Sequence, residues 1–359
     1  MSSQDTTPTI DEMKYSEVGH ALPHFERNVF VEDNQIYLYA KEHDYTGVYR
    51  SAYRYNVNSK ENIRDAYLFS HFYMDFDNKE DIEKAREDLL FIIWKMSLKT
   101  TYNLPLEAFR IYFSGMKGFH LLIPHQYLGI KPSKHLDELF KWIAIGLHQE
   151  SVNETIDMVV YERRRMWRLE NSKHPETNLY KIPLQYKELL DLSIEEIMAM
   201  AKQPRYIEYP QPYLVESARK EYLNEAREMV AYKKEEAERF KNYKPTKLFK
   251  PGEVPDYVQA LIDEGPVNGF RNETATALAS FYYQQELSKE EAFNELLAWN
   301  GGSLSESDLK ISLNSVYNNG YTYGKRRFKA LLEKDLTLVD ENHPKKRGVL
   351  PPWKKKENT

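Results

Sequence analysis

Five residues, Tyr73-Met74-Asp75-Phe76-Asp77, constrain this chain more than any other stretch. They close an apolar, aromatic-rich run over 66–74 that reads as one buried strand. Side chains alternate along a strand, so Asp75 and Asp77 share a face. Two carboxylates side by side repel, and a packed core gains nothing from that. Two readings follow. A divalent cation, which takes oxygen ligands, removes the repulsion. Alternatively, the strand end is solvated and Asp77 caps a helix starting near Asn78.

Composition narrows the setting. A chain of 359 residues has room for two domains, and 41% hydrophobic with 29% charged residues fits a soluble globular protein. The longest obvious apolar run, 89–94, is far short of a membrane span and ends at Lys95. The first residues lack a basic segment followed by an apolar one, so a cytoplasmic location without a membrane partner is expected. With no cysteine, disulfides, iron–sulfur clusters and cysteine-ligated zinc are excluded, and no zinc is expected. The ten histidines show neither H-x-x-E-H nor H-E-x-x-H spacing. A net charge of -5 argues against indiscriminate nucleic-acid binding but leaves room for a local basic groove.

Along the chain, 28–40 reads as a hairpin, with a turn at Asp33-Asn34 and IYLYA as its second strand. A Tyr-rich strand over 48–55 carries Arg50 and Arg54, which either line a groove or stand in solvent. Ile82, Ala85, Leu89, Ile92, Ile93 and Met96 follow helical spacing. Residues 109–113 and 120–123 read as strands. A second helix starts at Ser133, and 155–161 reads as a further strand. This order describes a compact sheet unit covered by two helices. Beyond residue 184 the chain turns helical: 193–201, then a charged 217–244 read as a solvated connecting helix, a Pro-containing linker, and a separate helical module. In that module Ala275, Leu278, Ala279, Phe281, Ala292, Leu296 and Trp299 form core faces, and Ser288 with Glu291 makes a capping box. Phe270, Arg271 and Asn272 either face nucleic acid or a partner, or serve the structure.

Two further clusters carry chemistry. Ser114-Gly115-Met116-Lys117-Gly118-Phe119-His120 joins two strands, and its glycines permit a tight turn and close approach to a ligand. Its hydroxyl, ammonium and imidazole suit an anion such as a polyphosphate; a plain hairpin with one satisfied histidine is the alternative. The other cluster runs from Asp157 through Tyr161-Glu162-Arg163-Arg164-Arg165-Met166-Trp167-Arg168 to Ser172, Lys173, His174 and Lys181. A carboxylate followed by dense guanidinium groups fits a metal-plus-phosphate site, while a basic solvated strand is the competing reading. Met166 and Trp167 among the arginines argue that some of these share an apolar environment.

These three clusters resemble motifs I to III of the archaeo-eukaryotic primase superfamily, in its primase–polymerase form from plasmids, phages and integrated elements. YMDFD matches the acidic pair, SGMKGFH the Ser-before-His motif, and IDMVVYERRRMWRLENSKH the acidic residue with its Arg-rich continuation. The resemblance covers roughly 28–185. GFRNETATALASFYYQQELSKEEAFNELLAWN with SVYNNGYTYG resembles the helical domain that follows such catalytic domains.

The resemblance implies an α+β fold: a primase catalytic core with an RRM-like sheet unit and an N-terminal α/β extension, followed by an all-α C-terminal domain. It implies a flexible lead-in over 1–27, the catalytic domain over 28–210, a charged helical linker over 211–255, the helical domain over 256–334 and a basic flexible tail over 335–359. Asp75, Asp77 and Asp157 would be catalytic and hold two Mg2+ or Mn2+ ions. Ser114, Lys117, Gly118, His120, Arg168, Lys173 and His174 would bind the nucleotide, and Arg163 and Arg165 the nucleic acid. The implied activity is DNA-directed nucleotidyl transfer that makes or extends primers, with a single-stranded DNA template and NTPs or dNTPs as partners. An inactive replication-initiation protein and a gap-filling repair polymerase are the alternatives. Zinc-binding cysteines found in many primases are absent, and no GxxxxGK[ST] occurs, so a separate helicase is expected.

Overall fold

The structure, a computed structural model, describes residues 6–241, 248–266, 270–320 and 322–333. The chain is α+β, with antiparallel sheets in its first part and helices alone in its last. It divides into two compact units, Met1–Ala231 and Tyr232–Thr359, and the division falls inside a helix.

The first sheet opens with β1 (Tyr15–His20) and β2 (Glu26–Glu32), paired antiparallel. Residues expected in a flexible lead-in therefore form an ordered strand, with Ser16, Glu17 and Val18 buried. The expected hairpin over 28–40 is also corrected. After β2 the chain makes a 3-10 turn and then α1 (Ile36–Glu42). Ile36 and Ala40, four apart, are buried while Tyr37 and Leu38 point outward. Helical spacing thus outweighed the β-propensity of IYLYA. β3 (Val48–Ser51), β4 (Arg54–Tyr55), β5 (Leu68–Phe69) and, much later, β9 (Met166–Arg168) complete this sheet in the order β5-β4-β1-β3-β9.

The second sheet holds β6 (Phe72–Asp77), β7 (Arg110–Phe113), β8 (Gly118–Ile123) and β10 (Ile182–Leu184), ordered β10-β7-β8-β6. The single strand expected over 66–74 is two: β5 belongs to the first sheet and β6 to the second, with Ser70 and His71 between them. Phe72, Met74 and Phe76 face inward and are fully buried, while Tyr73, Asp75 and Asp77 take the opposite face.

Two helices cover this sheet. In α2 (Ile82–Ser97), Asp81 rather than Asp77 is the cap, accepting from Glu83 N at 3.1 Å. Its face of Ala85, Leu89, Ile92, Ile93 and Met96 is fully buried, each large side chain contributing about 1.5–3 kcal/mol. A short α3 (His125–Leu128) precedes α4 (Leu136–His148), which starts three residues after the expected Ser133 and buries Leu136, Phe140 and Ile143. The segment 155–161 is not a strand. Ile156 makes one isolated bridge to Phe76, and Asp157 then caps a 3-10 turn over Met158–Tyr161.

Buried Asp88, in the middle of α2, explains where that segment sits. Its Oδ1 accepts from the backbone N–H groups of Val152 (3.1 Å) and Asn153 (2.9 Å). Its Oδ2 accepts from Thr155 N (2.9 Å) and Thr155 Oγ1 (2.8 Å). The helix thereby holds 152–155 beside β6, where Asp77 N donates to Thr155 O and Asp157 N to Asp75 O, both at 2.9 Å.

Next come α5 (Tyr186–Asp191), α6 (Ile194–Met200), which Ser193 and Glu196 cap reciprocally, and α7 (Glu216–Lys241). α7 was expected to be solvated throughout. Instead Ala218, Tyr222 and Met229 pack into the core of the first unit, and Trp142 Nε1 donates to Glu225 at 2.8 Å.

The second unit contains α8 (Asp256–Glu264), α9 (Arg271–Gln284), α10 (Lys289–Asn300), α11 (Glu306–Asn319) and α12 (Lys325–Leu332). Its core includes Phe249, Leu278, Phe281, Leu296 and Phe328, with Trp299 against it. The Ser288–Glu291 box forms in both directions, at 3.2 and 2.8 Å. Buried Gln284 ties the module together, accepting from Leu248 N and donating to Tyr323 O. Phe270 O accepts from Thr274 Oγ1 and Arg271 donates to Ser303 O, both local structural contacts. The expected tail over 335–359 and the linker stretch 242–247 lie outside the described residues. Among those described, no helix is long and apolar enough to cross a membrane.

Candidate metal and phosphate site

Strand β6 and the irregular segment beside it place three carboxylates together. Asp75 and Asp77 share the outward face of β6, and the bridge at Phe76 and Ile156 sets Asp157 alongside. One carboxylate oxygen from each lies within 4.8 Å of the other two. Asp75 is buried, and its Oδ1 has no hydrogen-bond partner. Burial, then the charges of Asp77 and Asp157, push its carboxyl up to about 8. An orphaned oxygen inside an acidic trio is what an oxygen-seeking dication would satisfy, so these residues fit one. Magnesium or manganese is compatible with this donor set, which offers no sulfur or nitrogen.

The register of β8 and β7 continues the same face. Asp75 pairs with His120, and His120 with Tyr112, so all three lie in one row on the open face. His120 Nε2 stands 3.4 Å from Asp75 Oδ1, and its Nδ1 has no partner. Burial, with Lys181 and Arg168 nearby, holds this imidazole well below its usual range, hence neutral. Its ring packs on Trp167 with centroids 4.2 Å apart.

The turn between β7 and β8 closes with Ser114 N donating to Gly118 O at 2.9 Å, and Gly115 takes a positive φ of 86°. Buried Ser114 Oγ has no partner. Gly118 has a packing role: a Cβ there would stand 1.8 Å from Phe76 O. Gly118→Ala is therefore expected to force β8 from β6 beside Asp77, costing about 1–3 kcal/mol of stability. Thermal unfolding together with divalent-cation affinity checks this; wild-type values for both would show the strands can part freely.

The remaining expected residues divide sharply. Lys117 Nζ is bound to Asp77 Oδ2 at 2.5 Å, so it offsets part of the acidic trio's charge. Arg168 is buried, donates to Ser114 O, and keeps Nε and Nη1 unpartnered. Arg165 lies 3.6 Å from Asp157, with its Nε unpartnered. His174 lines the same cleft, its Nδ1 accepting from Glu176 N. Lys173 does not: its ammonium sits over the Tyr180 ring and its backbone pairs with Tyr45 and Gly47. Ser172 Oγ accepts from Val48 N, a structural bond.

Arg163 is also corrected. It donates to the carbonyls of Ile63, Ala66 and Lys134, so its guanidinium is spent on loops rather than facing nucleic acid. Arg164 is held by buried Glu17, which also holds Arg27. The basic run thus contributes two of its four arginines, Arg165 and Arg168, to a cleft of about 200 Å³.

Sequence reasoning missed Asp88, Glu17 and the reach of Lys181. An acid three residues after Ala85 and one before Leu89, on an otherwise apolar helix face, was the available signal for Asp88. Nothing local marked Glu17, whose arginine partner Arg164 lies 147 positions away.

No family model matches this chain, and no curated protein matches it. A solved structure described as "Crystal structure of primase RepB'" matches at 12% identity, covering 91% of this chain and 96% of that one, with a TM-score of 0.35.

Proposed function

We propose that this chain is a metal-dependent nucleotidyltransferase that joins nucleotides on a single-stranded DNA template, as a primase–polymerase does. One observation supports this above all: Asp75, Asp77 and Asp157 converge to within 4.8 Å beside unpartnered polar atoms of Ser114, His120 and Arg168. The motif resemblance agrees with it.

Magnesium or manganese held by the three carboxylates would make a primer hydroxyl a better nucleophile and stabilise charge developing at the attacked phosphate. The chain's own groups do the rest. Ser114 Oγ, His120 Nδ1 and the free N–H groups of Arg168 have no protein partner and can hold phosphate oxygens. Arg168 stays put because its remaining donor is fixed on Ser114 O. Neutral His120 can donate one hydrogen bond without adding repulsion toward Lys117 or Arg165. The cleft of about 200 Å³ is lined by these donors, so it would take the phosphates, with sugar and base left toward its mouth. Arg165 lines this cleft and is partly exposed at it. Any template would be gripped through its phosphates, with strong salt dependence, and a separate helicase would unwind DNA.

The test supplies primed and unprimed single-stranded templates with labelled ribo- or deoxyribonucleotides, under magnesium or manganese. Cation-dependent incorporation is expected. Arg168→Ala should raise the nucleotide KM about tenfold to a hundredfold, the loss of charge-assisted hydrogen bonds worth about 1.5–3 kcal/mol. Template binding with no incorporation under either metal would replace this reading with that of a replication-initiation protein. Strong preference for 5′-phosphorylated gaps would indicate repair.

A further inference from the structure

Behind the carboxylate cleft lies a larger cavity that the proposed chemistry does not use. It has a volume of about 430 Å³ and sits between the two sheets, one row further along β6 and β8 from Asp75 and His120. Trp167 and Arg168 form a wall common to both spaces. Tyr73, Tyr112 and Phe69 give it aromatic sides.

Its charge is lopsided. Arg50, Arg54, Arg168 and Lys181 line it, against the carboxylates of Asp33 and Glu170. Asp33 is already engaged, accepting from Ser16 Oγ at 2.8 Å and from Arg54 at 3.1 Å. Burial raises the Glu170 carboxyl above its usual range, against the opposing pull of Lys181. Among the described residues no carboxylate lies within ion-pair distance of Arg50, which donates from Nε to Ser51 O over a long 3.5 Å. Lys181 is 3% exposed, donates to Arg168 O at 2.9 Å, and otherwise faces the rings of Tyr112 and Trp167. His71 adds a donor: its Nδ1 accepts from His125 N at 3.0 Å, which leaves the ring proton on Nε2.

A fold has no need of this. Arg50 is part-buried and Lys181 fully buried; burial and the neighbouring Arg168 hold the Lys181 ammonium well below its usual range despite Glu170, and apolar side chains of the same shape would fill the space more cheaply. The arrangement makes sense if an anion completes it. Guanidinium groups present paired donors that match phosphoryl oxygens, and the ammonium adds a point charge. About 300–1,000 Å³ is the usual range for small-molecule sites.

We propose that this cavity is a second site, separate from the carboxylate cleft, that takes a small phosphoryl-bearing anion between Arg50, Arg54 and Lys181. It stands whether or not the carboxylate cleft transfers nucleotides. The anion is either inorganic, such as pyrophosphate, or the phosphate end of a free nucleotide whose base lies along the aromatic side. A ligand there would press on the β9 residues that also line the cleft, giving the two spaces a physical connection.

The test is calorimetric titration of the full chain in chelator, with pyrophosphate in one arm and ATP in the other. Binding is expected without any divalent cation. Arg50→Met should weaken it about tenfold or more, whereas Lys117→Met, which alters the carboxylate cleft, should leave it unchanged. Arg54→Gln gives an independent second variant, and each is used only if its unfolding midpoint matches wild type. Tighter binding of ATP than of pyrophosphate assigns a nucleotide; the reverse assigns the inorganic anion. The proposal is overturned if neither ligand binds at millimolar concentration, if the arginine variants bind as wild type, or if Lys117→Met removes the binding.

Discussion

Asp75→Asn is expected to remove nearly all nucleotide incorporation and, in the same molecule, to raise the unfolding temperature of chelator-treated protein at pH 8 to 9. The two effects share a cause. Asp75 is buried beside Asp77 and Asp157, so its folded-state carboxyl titrates near 8, far above an unfolded aspartate near 4. Below about pH 4 the group is protonated in both states and contributes nothing to pH dependence. Between about 4 and 8 the native state keeps a proton that the unfolded chain has released, so stability falls as pH rises. Above that range the full penalty is present. Asparagine keeps the shape and deletes the charge, so the penalty disappears, and each kcal/mol recovered is worth about 2–4 °C in a chain this size. A bound dication would relieve the same strain in the wild type, so added manganese should flatten the wild-type decline between pH 5 and 9. Incorporation should drop by a factor on the order of 10³ or more, because several kcal/mol of metal-borne stabilisation goes with the ligand. Equal pH slopes with and without manganese, or normal turnover by the variant, would remove the metal assignment.

Asp88→Ala should be the most damaging change outside the cleft. Four hydrogen bonds end on this one carboxylate. The donors of Val152 and Asn153 can turn to water, but Thr155 is buried and is left unsatisfied. At about 1–3 kcal/mol for each orphaned buried group, a loss of about 3–5 kcal/mol is expected, or on the order of 10 °C. The effect extends to chemistry, because the same segment holds Asp157 against Asp75. A misplacement of about 1 Å at a reacting centre can cost about a hundredfold. Asp88→Asn, which keeps one acceptor oxygen, should fall between wild type and alanine in both unfolding temperature and cation affinity. An Asp88→Ala protein with the wild-type melting curve would show that the segment is held by something else.

Features readable in the sequence were those set by local pattern. The shared face of Asp75 and Asp77, the turn from Ser114 to His120, the apolar stripes of α2 and α4 and the Ser288 cap each follow from spacing within a few residues. What could not be read depends on distant partners. Residues 155–161 contain enough Ile and Val to read as a strand, yet Asp88 and the edge of β6 decide their path. Segment 36–40 carries the residue types of a strand but buries two side chains four apart. The Arg run looks uniform in one dimension. Glu17 claims Arg164, three carbonyls claim Arg163, and only then is it apparent which arginines remain for the cleft. Asp157 was brought to the acidic pair by motif resemblance, not by anything its own neighbours dictate.

The exchange of strands between the two sheets also governs how the protein is made. β3 must wait for β9: Tyr49 pairs with Arg168, more than a hundred positions later. Contacts that far apart carry a large loop-closure cost and slow folding. On a ribosome adding residues from the N-terminus, the first sheet stays open at one edge until the chain through residue 168 has emerged. The free edge of β3 therefore stays exposed until β9 arrives, so the carboxylate cleft that β9 lines closes late in biosynthesis, and a nascent chain stalled earlier would present an unpaired edge to whatever lies nearby.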